Sequence, residues 1–225
     1  MPDKSLYDRS DQSGGTPDTR VPAKSASKSG GDKRALILDA AIKVFADKGF
    51  HATRISDIAR EAEIAYGLVY HYFRNKEEIL DTIFLDRWEL FIEAVQAITD
   101  DGRGVEQKLL SIAAVILSAY RNRPEWVQVL VFEIQRSQRF SEPDRAKLVG
   151  RLFRLIAQIL SEGQDRGELR KDLDPTIACY VFVGSIDIIV TGRVLEVIST
   201  EEDDGAYYVR VARTIVDVFL NGMSS

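Results

Sequence analysis

The sequence predicts an all-α chain, with an N-terminal helix-turn-helix unit of three helices and a larger C-terminal helical domain. Three observations carry this. From Lys33 onward apolar residues recur at helical spacing and no strand run is convincing. Two short helical segments joined by a tight turn follow a longer one. The last two helices differ from the rest: the first of them is apolar nearly all round and must be covered on two faces, which suggests a partner surface, with an ordinary internal core as the alternative.

The first helix places Ile37, Ala40, Ala41, Val44 and Phe45 on one face, and Gly49 stands where a left-handed C-cap is needed, with Phe50 able to fold back. The second, about ten residues long, opens at Thr53 as N-cap and buries Ile55, Ile58, Ala59 and Ala62. The third short helix follows 63-EIA-65, within the stretch 64-IAYGLVYHYFRNKEEIL-80. Asn75 caps the fourth, with Glu78 three residues on completing a variant capping box. Val105 to Tyr120 carries Leu109, Ile112, Ala113 and Ile116. Pro124 suits the first position of a helix running to about Ser137. Asp144 to about Gln164 carries Leu148, Leu152, Phe153, Ile156, Ile159 and Leu160. Asp174 to Ile198 sets Ile177, Val181, Gly184, Ile188 and Leu195 on one side, with Phe182, Ile186 and Ile189 on another. Asp204 to Asn221 shows Tyr208, Val211, Ala212, Ile215, Val218 and Phe219. Paired with their copies, the last two helices would form a four-helix homodimer interface, to which Ile177, Val181, Gly184, Ile188, Val211, Ile215 and Val218 are assigned.

The 225 residues are 45% hydrophobic and 29% charged, a globular balance. The net charge of −5 hides an asymmetry: residues 20–34 sum to +4, residues 79–225 to −6. A basic segment beside a helical motif favours a polyanion. Residues 1–31, rich in Ser, Gly, Asp, Lys and Pro, bury too little to repay their ordering entropy and read as a disordered tail without a signal peptide's apolar region. The chain therefore divides into 1–31, a helix-turn-helix domain over 32–78 and a second domain over 79–225. Cys179 is the only cysteine, and the apolar run 177–190 is short for a bilayer and contains Asp187. A soluble cytoplasmic protein is expected, with Asp187 read as a buried, hydrogen-bonded carboxylate or a dimer contact, and a role in binding a ligand second. Only two histidines, His51 and His71, no metal-ligand spacing, no phosphate loop and no nucleophile elbow occur, so neither enzyme, metal nor cofactor is expected.

The third helix carries the chemistry. Val69 and Phe73, four apart and with Ile64 before them, bury against the first two helices and leave Tyr66, Gly67, Leu68, Tyr70 and His71 outward. A helix in the major groove of double-stranded DNA needs such a thin apolar seam and wide free face. Tyrosine hydroxyls and imidazole donate to phosphate oxygens without permanent charge. Lys76 with the fourth helix's N–H groups, and Thr53 with Arg54 at the second helix, offer further anion contacts.

The run 53-TRISDIAREAEIAYGLVYHYFRNKEEIL-80 resembles the DNA-binding region of TetR-family transcriptional regulators. That resemblance, over residues 33 to 80, implies a homodimeric repressor released from a palindromic DNA operator by a small molecule. It places Tyr70, His71, Tyr72 and Lys76 at phosphates, Tyr66, Gly67 and Leu68 at base edges, and Thr53 and Arg54 at the second helix's contacts. Two positions depart from the pattern: Glu63 stands where the turn has Gly, and Ala65 where the recognition helix has a Ser or Thr cap. Each is expected to cost about 1 kcal/mol, the first in left-handed backbone and the second in a lost cap.

In the second domain 132-FEIQRSQRF-140, 165-DRGELRKDLDP-175 and 182-FVGSIDIIVTGRV-194 are similar to TetR-family regulators of fatty-acid degradation, which implies a long-chain acyl-CoA effector. Phe84, Trp88, Phe91, Tyr120, Trp126, Phe132 and Phe153 are candidates for an apolar tunnel that would take the acyl chain. Arg121, Arg123, Arg136 and Arg139 are available for a CoA head. A different hydrophobic ligand, or a helical lipid-binding protein without DNA binding, are the other readings.

Overall fold

The computed structural model describes residues 26–131, 143–199 and 204–221. Among these the chain is helical with no strand: α1 (Ala26–Lys48), α2 (Ile55–Glu61), α3 (Tyr66–Tyr72), α4 (Lys76–Asp100), α5 (Val105–Asn122), α6 (Pro124–Val129), α7 (Pro143–Asp165), α8 (Pro175–Val194) and α9 (Asp204–Asn221). Helix α1 begins at Ala26, inside the segment expected to be tail. The rest of residues 1–31, and the expected continuation of α6 to Ser137 past residue 131, lie outside the described residues.

Two apolar cores result, and α4 belongs to both. Ile37, Ala41, Phe45, Ile58, Val69 and Phe73 form the first with Ile79, Leu80, Ile83 and Phe84 of α4. Further along α4, Ile92 and Val95 enter the second, with Leu109 and Ile112 of α5, Ile156 and Ile159 of α7, Phe182 and Ile186 of α8 and Tyr208 of α9. The expected boundary at 78/79 thus falls within one continuous helix. Cross-links hold the cores in register. Arg145 on α7 pairs with Asp81 on α4 at 2.7 Å. The Trp88 indole donates to the Leu148 carbonyl at 3.3 Å, and Gln128 of α6 donates to the Ala46 carbonyl at 2.9 Å.

Local chemistry accounts for the helix ends. Gly49, at φ 77°, closes α1 by donating to the Phe45 carbonyl, and the Phe50 ring returns onto Phe45 with 5.4 Å between centroids. The N-cap of α2 is Arg54 rather than Thr53: the Asp57 carboxylate accepts the Arg54 N–H at 3.0 Å. Asn75 caps α4 as expected, accepting from the Glu78 N–H at 2.8 Å, while Glu78 accepts from the Arg74 N–H instead of completing the box on Asn75. Gly104 has no side chain to cap α5, so Glu168 reaches from the α7–α8 loop to accept the Val105 N–H at 2.9 Å. That bond, more than the adjacent Arg166, lowers the Glu168 pKa. Asp174 caps α8 through the Thr176 and Ile177 N–H groups.

Three helices end in the same pair of crossed hydrogen bonds around a left-handed residue. After α7 that residue is Gly167, at φ 74°; after α2 and α8 it is Glu63, at φ 53°, and Glu196, at φ 56°. The left-handed turn expected at Glu63 is therefore present, and Ala65, at the N-cap of α3, supplies no side-chain cap, also as expected. Glu63→Gly should raise stability by about 0.5–1 kcal/mol, the relief of strain exceeding the entropy that glycine adds to the unfolded chain. Urea unfolding would show it as a higher midpoint at unchanged slope; a lower midpoint would mean that Glu63 makes a compensating contact.

Helix α8 by itself is long and apolar enough to cross a membrane, with a mean hydropathy of 1.7. Here its Ala178, Cys179, Phe182, Ile186 and Val190 face forms the middle of the second core. Asp187 is half-buried in the protomer and has an interaction within it, so of the two expectations it is not a deeply buried carboxylate, while a contact across a dimer is left open.

Candidate nucleic-acid interface

Helix α3 is fixed from beneath by Val69 and Phe73, both within the first core, and the Arg34 guanidinium covers the Phe73 ring at 5.5 Å. What remains outside is the expected face. Tyr66 and Tyr70 are 54% and 47% exposed, and Gly67 and His71 are open to solvent. A methyl group added at Gly67 would meet no atom within 4 Å. Leu68 and Tyr72 are half-buried, so they sit at the margin of the face rather than on it. The His71 ring stands edge-on to Tyr72, 5.1 Å between centroids.

Tyr66 and Tyr70, one turn apart, are not independent. Their hydroxyls lie 3.0 Å apart and their rings meet edge to face at 5.2 Å. Hydrogen bonding to Tyr66, more than desolvation, raises the Tyr70 pKa. A tyrosine hydroxyl on this face can donate to a base edge or a phosphate oxygen.

Two assigned contacts are corrected. Thr53 is 2% exposed and its hydroxyl donates to the Gly49 carbonyl at 2.8 Å, so here it braces the loop instead of facing outward. Lys76 turns inward as well. Its ammonium donates to the carbonyls of Phe50, His51 and Thr53 at 2.7, 3.0 and 2.9 Å and sits 4.6 Å from the centre of the Phe50 ring. Loop carbonyls with no helical partner need donors, and these two side chains supply them. Arg54 stays exposed on the α2 side.

The charge expected of Lys76 is found elsewhere. Arg74, just past α3, is exposed, and among the described residues neither its guanidinium nor that of Arg54 is paired with a carboxylate. Arg74 was missed because it follows the aromatic motif; its place between Phe73 and the cap Asn75 was the available signal. Lys48 and Arg60, by contrast, are held by Asp57 at 3.0 and 2.9 Å. The Arg54 N–H, then the Lys48 ammonium, lower the Asp57 pKa to about 2.

The aromatic candidates for the effector tunnel are not gathered around one cavity. Phe84 is buried in the first core and stacks on Trp88 at 5.5 Å, with Phe91 edge-on to Trp88; Trp126 packs against both cores. Tyr120 meets Tyr208 between α5 and α9 at 5.8 Å, and Phe153 stacks on the exposed Tyr180 between α7 and α8 at 4.3 Å. These are corrections with one cause: a helical stripe identifies the apolar face of a helix but not what that face meets. Phe132, Arg136 and Arg139 lie outside the described residues, while Arg121 and Arg123 are exposed.

A groove of about 750 Å³ runs instead between α8 and α9, lined by Leu173, Ile177, Val181, Thr214, Val218 and Phe219. Ile177, Val181, Gly184, Ile188 and Val218 of the expected dimer face are exposed, Ile188 at 66%. Val211 and Ile215 are buried at 9% and 8%, which corrects their assignment: α9 turns them into its own protomer's core.

The comparisons with known proteins divide the chain similarly. Residues 37–83 match the family described as bacterial regulatory proteins, tetR family, and residues 84–201 match the YsiA-like protein, C-terminal region. The fatty acid metabolism regulator protein of Bacillus subtilis is 27% identical over 191 residues, 85% of this chain and 95% of the relative. The HTH-type transcriptional repressor KstR2 of Mycolicibacterium smegmatis is 30% identical over 168 residues, 74% of this chain and 78% of the relative. The crystal structure of the regulator FadR from Bacillus subtilis in complex with stearoyl-CoA superposes with a TM-score of 0.72 at 26% identity, covering 84% of this chain and 98% of that one.

Proposed function

The chain belongs to the TetR family of bacterial transcriptional regulators, and from that premise we propose that this repressor binds a palindromic operator as a homodimer and is released by a long-chain acyl-CoA. The observation that carries DNA binding is α3 itself: Val69 and Phe73 hold it against the core while Tyr66, Gly67, Tyr70 and His71 stay bare. Two such helices on a dimer reach successive major grooves when about 34 Å apart. The bare stripe on α8, together with Val218, is the face on which the second copy sits. Tyr66, Gly67 and Leu68 read bases, Tyr70, His71 and Tyr72 hold phosphate, and Arg54 and Arg74 add charge. Such a repressor acts in the cytoplasm, with DNA.

The effector class rests on likeness. The Bacillus subtilis relative is a fatty acid metabolism regulator, and the FadR structure of comparable identity holds stearoyl-CoA. Both matches extend through the second domain, where an effector binds, rather than stopping after the helix-turn-helix unit. Release then requires that the ligand favour the state that does not fit DNA.

Base reading by Tyr66 is tested on a palindromic duplex selected by the protein from a random pool. Tyr66→Ala should change the ranking of single-base variants by about 1–3 kcal/mol at the contacted pair. Tyr70→Phe should weaken all sequences about equally. Uniform loss for Tyr66→Ala would move Tyr66 from base reading to phosphate.

A further inference from the structure

We propose that Asp57 is a positioning residue that limits sequence-independent binding: its carboxylate holds the Lys48 and Arg60 cations off phosphate and so keeps affinity for unrelated DNA low. The inference rests on the DNA-binding reading and names what restrains it. Attraction between cations and phosphates carries no sequence information, and each phosphate neutralised strengthens binding to every duplex. A repressor that lets go of its operator must also leave the DNA around it, which low sequence-independent affinity permits.

The charges of the helix-turn-helix unit are arranged in that sense. Residues 31–80 contain eight Lys and Arg and eight Asp and Glu, so the unit carries no net charge. Arg54, Asp57 and Arg60 follow one another at intervals of three along α2 and share one side of it. Arg54 is exposed there, but the cations around it are held. Asp57 Oδ1 accepts from Arg60 Nη2 at 2.9 Å and, from the end of α1, from Lys48 Nζ at 3.0 Å. Lys43 is held in the same way by Glu61, the last residue of α2, at 3.2 Å.

Asp57 is fixed in this place. Its other oxygen, Oδ2, accepts the Arg54 N–H at 3.0 Å, so the carboxylate cannot swing away without uncapping α2. The Asp57 side chain is 15% exposed, against 38% for Lys48 and 73% for Arg60. A cation that left for a phosphate would uncover this carboxylate beside the same polyanion. Magnitudes show where the arrangement matters. Exposed ion pairs contribute about 0–1 kcal/mol each to stability, whereas two released cations on this side would change affinity for all DNA by about tenfold or more.

Asp57→Asn keeps an oxygen for the Arg54 N–H and removes the charge. On a scrambled duplex across a salt series it should bind about tenfold more tightly than wild type, with a salt slope steeper by about one to two. Adding Lys48→Met and Arg60→Met to Asp57→Asn should restore the wild-type affinity and slope. Cations already lying on phosphate in the wild type predict an unchanged slope for Asp57→Asn and a slope smaller by about two for the triple variant. An Asp57 that serves only as a cap predicts weaker binding for Asp57→Asn. Either pattern overturns the proposal. Helix content and thermal unfolding check the fold; if asparagine does not fold, Asp57→Ser, whose hydroxyl also accepts the Arg54 N–H, takes its place. A wild type that prefers the selected palindrome to the scrambled duplex upholds the DNA-binding reading whatever Asp57 does. A wild type that binds neither duplex overturns both.

Discussion

Ile188→Arg is expected to split the dimer and to lower operator affinity about 100-fold or more. Ile188 lies on the bare stripe of α8 with Ile177, Val181 and Gly184, and is 66% exposed in the protomer. In a two-fold interface each substitution appears twice, so one arginine places two like charges in a face otherwise apolar. The loss at the operator follows from linkage: a monomer engages one half-site and forfeits the effective concentration that the second recognition helix gains from the first. Sedimentation should show a monomer, and duplex binding should lose its dependence on half-site spacing. A dimer of wild-type affinity would mean that the copy covers a different face, and the exposure of α8 would then need another explanation.

Gly163→Ala should cost about 2 kcal/mol of stability, the middle of the range for a forced methyl in a packed site. A Cβ at that position would stand 2.3 Å from Val105 Cγ2 and 3.2 Å from Leu169 Cδ1. Neither neighbour can yield freely. Val105 is the buried first residue of α5, its N–H fixed by Glu168, and the Gly163 carbonyl itself accepts from Glu168 and Leu169. Thermal unfolding should fall by about 4–8 °C for a domain of this size. Val105→Ala in the same chain removes the clashing methyl, so the double variant should recover part of the loss; a strictly additive pair would show that the clash is not between these residues.

The parts of the fold legible in the sequence are those governed by local chemistry. The C-cap glycine at 49, the cap at Asn75 and the seam of Val69 and Phe73 follow from spacing and residue type within a few positions. Glu63 was legible for the same reason: the turn demands a left-handed residue whatever its side chain, and the backbone there obeys. The misreadings have non-local causes. Thr53 and Lys76 have the right types for anion contacts, but carbonyls of the α1–α2 loop, up to 26 residues from Lys76 in sequence, claim their donors. The aromatics of the second domain sit on apolar faces as expected, yet some meet each other along α4 itself and the rest are divided between the α5–α9 and α7–α8 pairings, and pairing is not written in a stripe. The same limit explains α9, where Val211 and Ile215 share periodicity with Val218 but only Val218 faces out.

The most direct test of a ligand-released DNA-binding dimer is the affinity for the selected palindromic duplex across a salt series, with and without saturating stearoyl-CoA. Because phosphate neutralisation releases counterions, log affinity should fall linearly and steeply with log salt. Stearoyl-CoA should lower the affinity at every salt concentration by about tenfold or more, the scale of an allosteric coupling of 1–3 kcal/mol. Affinity unmoved by stearoyl-CoA would contradict the effector assignment, and binding indifferent to both salt and palindrome would contradict the repressor itself.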